Sequence, residues 1–451
     1  MPIYGGWSHE AGLLAGDSVI GAGVATVMLV VLVMLIAFGV QVATALGLVS
    51  MAAIYAATGD WQVVSRLIVA TAYDGLRVDA IIAIPLFMLM GEFIARSGAV
   101  TDVFRAATCA LHRVPSGAAL AAVAGNALHA FVAGGSAAGT AGYSHITYGE
   151  LRRRAADRAA SLGMLAGASA LGMLLPPSVL MVTWGILTRQ PVGAIFLAML
   201  IPAMLALAGF VVSVLVAAPA PGSRENSRKD LPTDAPPPRA VASLIGILLV
   251  VVTVLLCVGL RLLSVAETAS LGVGLALIMA IGKGMRAGAI VEAILVVGRA
   301  SAPILLLIFA ALLYGQALAV TGAGAAIQAA LGSLGAAGAL AVMVAIWLVL
   351  VTVLDALSAV ALTAALFVPA ASTLGIDPLA LAVIGVLVLE GAPLVPPFGL
   401  LVFTARAAGE DGVPVFDIFR HVLPVLTILM AAILLVAAFP KVAIWLPYLV
   451  R

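Results

Sequence analysis

Apolar runs of about 18 residues or more, each long enough to cross a bilayer as one helix, recur along this chain almost from end to end. Two of them are interrupted by a pair of prolines, in LLPPSVLMV from Leu174 and in LVPPFGLLV from Leu394. Of 451 residues, 64% are hydrophobic and 9% charged, more apolar surface than a soluble fold of this length buries. In lipid a backbone must satisfy its own polar groups, so the expected fold is all-α and polytopic. Non-helical backbone at membrane depth then survives only where protein buries it or where it lines a cavity.

The interruptions come in pairs. The first half carries Gly134-Gly135-Ser136, in a run that begins at His129, and then Pro176-Pro177-Ser178. A basic turn, Arg152-Arg153-Arg154 with Arg158, separates them. The second half carries a break near Asp355-Ala356-Leu357-Ser358 and then Pro396-Pro397. Pro176 and Pro396, Ser136 and Ser358, and Pro85 and Pro303 each stand about 220 residues apart, as an internal duplication requires. Between the halves, 219–240 reads PAPGSRENSRKDLPTDAPPPRA, a polar, proline-rich solvated linker.

The first repeat is therefore 1–218. It has scaffold spans within 18–58, an amphipathic arm at 60–77 with Trp61 and Tyr73 suited to the headgroup level, and a span at 79–97. A re-entrant hairpin at 115–149, a broken helix at 158–188 and a span at 191–218 follow. The second repeat, 241–451, has scaffold spans within 241–282, an arm at 284–299 and a span at 301–320. A hairpin at 337–372, a broken helix at 379–403 and a closing segment at 414–447 complete it. Placing 96–113, 152–158, 219–240, 283–299, Arg406 and Arg420 in the cytoplasm gathers sixteen of the 22 Lys and Arg on that side, as the positive-inside rule asks. The first hairpin then enters from the cytoplasm and the second from outside. The halves are inverted relative to each other, and both termini are periplasmic.

A helix broken within the membrane presents carbonyls at one broken end, suited to Na⁺, and N–H groups at the other, suited to a carboxylate. Ser136, Thr140, Gly172 and Ser178 can contribute to one cation site, with Gly134 and Gly135 allowing close approach. Pro176 and Pro177, like Pro396 and Pro397, remove donors and stop the helix. The competing reading is that these small residues only pack helices together. Intramembrane carboxylates are costly, and three stand out. Glu92 precedes Arg96 by one turn and reads as an ion pair. Asp355 is either a helix cap or a coupling group. Glu390, before Gly391, reads as functional. His129 and His145 lack a third ligand for a metal. Cys109 and Cys257 read as small buried hydrophobes. No nucleophile–base pair, phosphate loop or nucleotide fingerprint appears, and the formal charge of +2 gives no sign of a nucleic-acid partner.

These residues resemble the large membrane subunit of tripartite ATP-independent periplasmic (TRAP) transporters, the dicarboxylate-type large permease. IPLFMLMGEFIARSG (84–98), GGSAAGTA (134–141), ELRRR (150–154), LLPPSVLMVTWGI (174–186), GIDP (375–378), LE (389–390) and PPFGL (396–400) fall in family order, and FPKVAIWLPYL (439–449) ends the likeness. The resemblance implies an inverted-repeat, elevator-type secondary transporter of the bacterial inner membrane. It would take up a C4-dicarboxylate or another carboxylate with Na⁺ as coupling ion and no other cofactor. It would work with a small membrane subunit and a periplasmic substrate-binding protein. The ion- and substrate-binding candidates it supports are Gly135, Ser136, Thr140, Gly172, Pro176, Pro177 and Ser178 in the first half. In the second they are Asp355, Ser358, Glu390, Pro396, Pro397 and Gly399. Ser136, Thr140 and Gly172 would hold Na⁺. The second half departs from the family: Val388 stands for a usual Asn, Val395 for Thr, Leu401 for Asn and Ala356 for Pro. A second cation site there would rely on backbone carbonyls.

Other readings stay open: a self-sufficient carboxylate or anion carrier of the same broad fold, a transport-inactive relative, and a membrane-embedded enzyme. The last would need clustered Asp, His or Cys at membrane depth, which the sequence does not offer.

Overall fold

The computed structural model describes residues 18–111, 117–132, 147–149, 151, 157–216, 238–409 and 412–450. The first half forms α1 Ser18–Ala37, α2 Val42–Thr58, α3 Trp61–Leu76, α4 Asp79–Arg96, α5 Ala99–Ala110, α6 Gly117–Val132, α7 Arg158–Met173, α8 Val179–Thr188 and α9 Val192–Val216. The second forms α10 Pro238–Gly259, α11 Val265–Gly282, α12 Ala287–Val320, α13 Ala323–Gly332, α14 Gly335–Leu350 and α15 Ala356–Thr373. After these come α16 Pro378–Gly391, a 3₁₀ turn Ala392–Leu394, α17 Leu400–Gly409, α18 Val415–Ala438 and α19 Lys441–Leu449. No strand occurs among the described residues. Six of their helices are long and apolar enough to span a bilayer, and eight if each of two bent helix pairs counts as one span.

Local chemistry sets the helix ends. Asp60, Asp157, Asp355 and Asp377 cap α3, α7, α15 and α16 by accepting backbone N–H bonds in the first turn, as short acceptor side chains do. Ser264 and Glu267 close a reciprocal capping box at the start of α11. Gly39 and Gly375 end α1 and α15 with positive φ, the conformation that closes a helix C-terminus.

Three boundaries differ from expectation. The arm at 284–299 and the span at 301–320 are one helix, α12, which runs through Pro303. Nothing at 299–301 ends a helix, and Pro303 gives up a single backbone bond. In the first half, Val78 in extended conformation does end the run, so α3 and α4 are separate and bent by 58°. The second hairpin's turn is 351–355, and Ala356, Leu357 and Ser358 already belong to α15. The linker's last residues begin α10 at Pro238, a position proline tolerates at a helix start.

Packing crosses between the halves in reciprocal pairs. α4 packs on α11, and α2 on α12. α5 packs on α10, and α13 on α1. Two ion networks tie the halves along one edge. Arg96 meets Glu92 at 2.5 Å and Glu292 of α12 at 3.1 Å. Lys283 donates to Asp102, and both Lys283 and Asp102 engage the Ser243 hydroxyl. Partial burial works against the Asp102 carboxylate. The Lys283 ammonium and the Ser243 hydroxyl outweigh it and hold the carboxyl below its usual range. Exposed apolar side chains such as Val30, Ile245, Leu249, Ile278 and Val291 line the outsides of α1, α10, α11 and α12, the surface a lipid-facing helix presents.

Candidate functional site

Both double prolines interrupt helices. The first lies between α7 and α8, where Pro176, Pro177 and Ser178 are buried. Ser178 takes the N-cap position of α8 but makes no side-chain cap bond. The second lies between the 3₁₀ turn and α17, where Pro396 and Pro397 are exposed and Gly399 is buried. Both X-Pro bonds are cis. The breaks are neighbours: α7 packs on α16, on the 3₁₀ turn and on α17, and α8 packs on α15 and α16.

Gly172 sits where α7 crosses α6, and a Cβ there would overlap the Ala127 carbonyl oxygen. Its own carbonyl accepts from the Leu175 N–H at 3.3 Å. Close packing beside the break therefore requires glycine at this position. Gly399 is likewise covered, by the Phe419 ring 2.5 Å from where a Cβ would stand. Gly135, Ser136 and Thr140, with His145, lie outside the described residues.

At the turn of the second hairpin Asp355 is the cap of α15. One carboxylate oxygen accepts from the Leu357 and Ser358 N–H groups at 3.1 and 3.3 Å, and the other accepts from the Ser358 hydroxyl at 2.5 Å. Glu390, 8% exposed, ends α16 one residue before Gly391. The structure thus joins Asp355 and Ser358 at the start of α15, while Glu390 stands at the end of α16, the helix that packs on α15.

An aromatic chain docks the first half onto this hairpin. Trp184 of α8 meets Trp347 of α14 edge-on at 5.7 Å, and Trp347 meets Phe367 of α15 at 5.2 Å. The Trp347 indole N–H donates to Thr363 at 2.8 Å. Gly385 of α16 leaves room for both indoles, since a Cβ there would lie 2.5 Å from Trp184.

Sequence reading missed Asn126. Its amide is fully buried on α6 and donates to the Leu165 carbonyl at 2.6 Å and to the Ser169 hydroxyl at 2.5 Å, fixing α6 to α7. A lone Asn inside AAVAGNALHAFV was the available signal. Glu92 is paired with Arg96, as its spacing suggests, but also shares Arg96 with Glu292 across the halves.

The fold is similar to that of the Alcanivorax borkumensis YdaH transporter, with a TM-score of 0.61 at 15% identity over 85% of this chain and 89% of that one. The chain is 26% identical over 371 residues to the C4-dicarboxylate TRAP transporter large permease protein DctM of Pseudomonas aeruginosa, covering 81% of this chain and 86% of that protein. It is 23% identical to the sialic acid TRAP transporter large permease protein SiaM of Vibrio cholerae, covering 83% and 88%. It is 25% identical to the isethionate TRAP transporter permease protein DctMQ of Oleidesulfovibrio alaskensis, covering 90% of this chain and 63% of that protein. The sequence model of the family described as the tripartite ATP-independent periplasmic transporter, DctM component, matches residues 29–442. With multi-pass helices, paired breaks and this match over most of its length, the chain belongs to the TRAP large permease family and is a transporter permease, not an enzyme.

Proposed function

We propose that this chain carries an organic anion across the bacterial inner membrane, coupled to Na⁺, by moving a transport part past a fixed scaffold. The observation that carries the reading is the pair of broken helices lying side by side, one from each half. Reciprocal packing between the halves supports an inverted repeat, with α1, α2, α10 and α11 as scaffold. The helix pair α14–α15 and the segment 115–149 serve as hairpins. Asp355 and Ser358, with Glu390 on the adjoining α16, offer only oxygen, which suits a hard cation. Ser136 and Thr140 would supply a first Na⁺ site, and N–H groups at a broken helix start would meet the anion. Relatives named for dicarboxylate, sialic acid, isethionate and ectoine support an organic acid without fixing which one. By family, a small membrane subunit widens the scaffold and a periplasmic binding protein delivers the substrate.

The test is reconstitution into proteoliposomes: the chain alone, then with the small subunit, then with loaded binding protein, each with and without a Na⁺ gradient. Uptake is expected only in the complete system with inward Na⁺. Full uptake by the chain alone would promote the self-sufficient carrier, and uptake indifferent to Na⁺ would end the coupling assignment.

A further inference from the structure

Two charge clusters lie along the edge where the halves meet, and they balance in opposite directions. At the first, one guanidinium, Arg96, faces two carboxylates, Glu92 and Glu292. At the second, one carboxylate, Asp102, faces several cations. Lys283, the C-cap of α11, donates to it. Arg105 follows Asp102 by three residues on α5, the spacing of neighbours on one helix face, and acts on it through charge. Arg239 precedes Ser243 by one turn on α10, and the Ser243 hydroxyl donates to Asp102 at 3.1 Å and accepts from Lys283 at 2.8 Å. Arg286, the N-cap of α12, stands three residues beyond Lys283. Arg105, Arg239 and Arg286 are exposed, and no described carboxylate lies within 4 Å of their guanidinium groups. Like charges gathered this closely repel one another, and the fold supplies one carboxylate against them.

Both halves build this cluster: α5 comes from the first, and α10, α11 and α12 from the second. Charge counting puts it at the cytoplasmic end of the spans. Next to it, Val241, Leu244 and Ile245 of α10 and Ile281 of α11 are exposed. A positive head above an apolar strip complements an amphiphile with an anionic head. A small soluble anion would answer the charge and leave the strip uncovered.

We propose that this cluster binds the headgroup of an anionic phospholipid, with Arg105 and Arg239 holding the phosphate and the acyl chains lying along the exposed strip of α10 and α11. Guanidinium groups take phosphate oxygens through paired N–H bonds. The Lys283 ammonium has a third N–H beyond those given to Asp102 and Ser243. Basic pockets between membrane helices on the cytoplasmic side suit such headgroups. The bound lipid fastens α5, which leads into α6, to α10 of the other half. The assignment is independent of what the chain carries, and topology decides only the leaflet.

The test is thermal unfolding of the purified full chain in detergent, titrated with dioleoylphosphatidylglycerol, with dioleoylphosphatidylcholine or with inorganic phosphate. A ligand that prefers the folded state raises the melting temperature as its concentration passes the dissociation constant. Phosphatidylglycerol should raise it saturably. Phosphatidylcholine, with the same chains and a cancelling ammonium, should need at least about tenfold more, and so should inorganic phosphate, which has no chains. Arg105→Gln with Arg239→Gln changes two exposed side chains. It should leave the lipid-free melting temperature near that of the parent and raise the phosphatidylglycerol needed at least about tenfold. Arg105→Lys with Arg239→Lys keeps the charge and should retain most of the response. Arg299→Gln with Arg420→Gln removes the same charge from exposed positions elsewhere and should leave the titration unchanged. Equal responses to the two lipids, or equal losses in the two glutamine pairs, would reduce the cluster to general attraction and overturn the proposal. Inorganic phosphate acting at the lipid's concentration would make this a site for a free anion and overturn it as well.

Discussion

Asp355 shows how one residue can serve a fold and a site with the same atoms. Its carboxylate takes two backbone N–H bonds and a hydroxyl from the first turn of α15, yet each oxygen retains acceptor capacity for an ion. Asn caps a helix about as well as Asp, whereas Ala forfeits roughly 1 kcal/mol. Asp355→Asn should therefore leave the melting temperature in detergent unchanged while raising the Na⁺ needed for half-maximal uptake by about tenfold, the cost of one charge-assisted ligand. Asp355→Ala should lower both stability and Na⁺ affinity. Unchanged Na⁺ dependence in the Asn variant would make Asp355 a cap alone. The sequence left the two roles open because an Asp before a helical run is the signature of either. Gly172 was harder to read, since a glycine required by a neighbouring helix and one that exposes a carbonyl look alike as letters. Only the Ala127 carbonyl facing it shows that packing alone requires a glycine here.

At the scale of elements, the double-proline interruptions were legible because each is a local backbone effect. The continuity of α12 was not, because an amphipathic face and an apolar face in succession can belong to one helix or two. The ion network at Asp102 was also hidden: its partners, Ser243 and Lys283, come from the other half of the chain. That network pins α5, which leads into α6, to α10 and α11. Asp102→Asn and Lys283→Met should each destabilise the protein, and a double-mutant cycle should return a coupling of about 1 kcal/mol for this partly exposed pair. The Asp102 carboxyl sits below its ordinary range. Its contribution is therefore complete above the unfolded value of about 4 and is lost only as pH falls through the lower folded value. Melting temperatures should show the coupling equally at pH 6 and pH 8, each about two units or more above that value. A coupling that disappears within this interval would contradict the assignment.

For the whole molecule, sidedness follows from charge and is tested by which segments share a face. Charge counting puts 96–113 and 283–299 together in the cytoplasm. The fold joins Arg96 to Glu292 and Asp102 to Lys283, so these segments share one side whichever side that is. Counting spans from there, α13 and the turn into α14 lie on the opposite side, as do the ends of α8 and α10 with Arg189 and Arg261. A membrane-impermeant maleimide therefore distinguishes the two orientations with a pair of exposed positions. In intact cells Ser333→Cys, between α13 and α14, should be labelled from the periplasm. Arg105→Cys, on the solvent side of α5, should react only after the cells are opened. The reverse pattern would invert the molecule. It would place Arg189 and Arg261 on the cytoplasmic face and leave most of the basic residues outside. Labelling of both positions from outside would break the shared-face argument itself, because the two lie an odd number of spans apart.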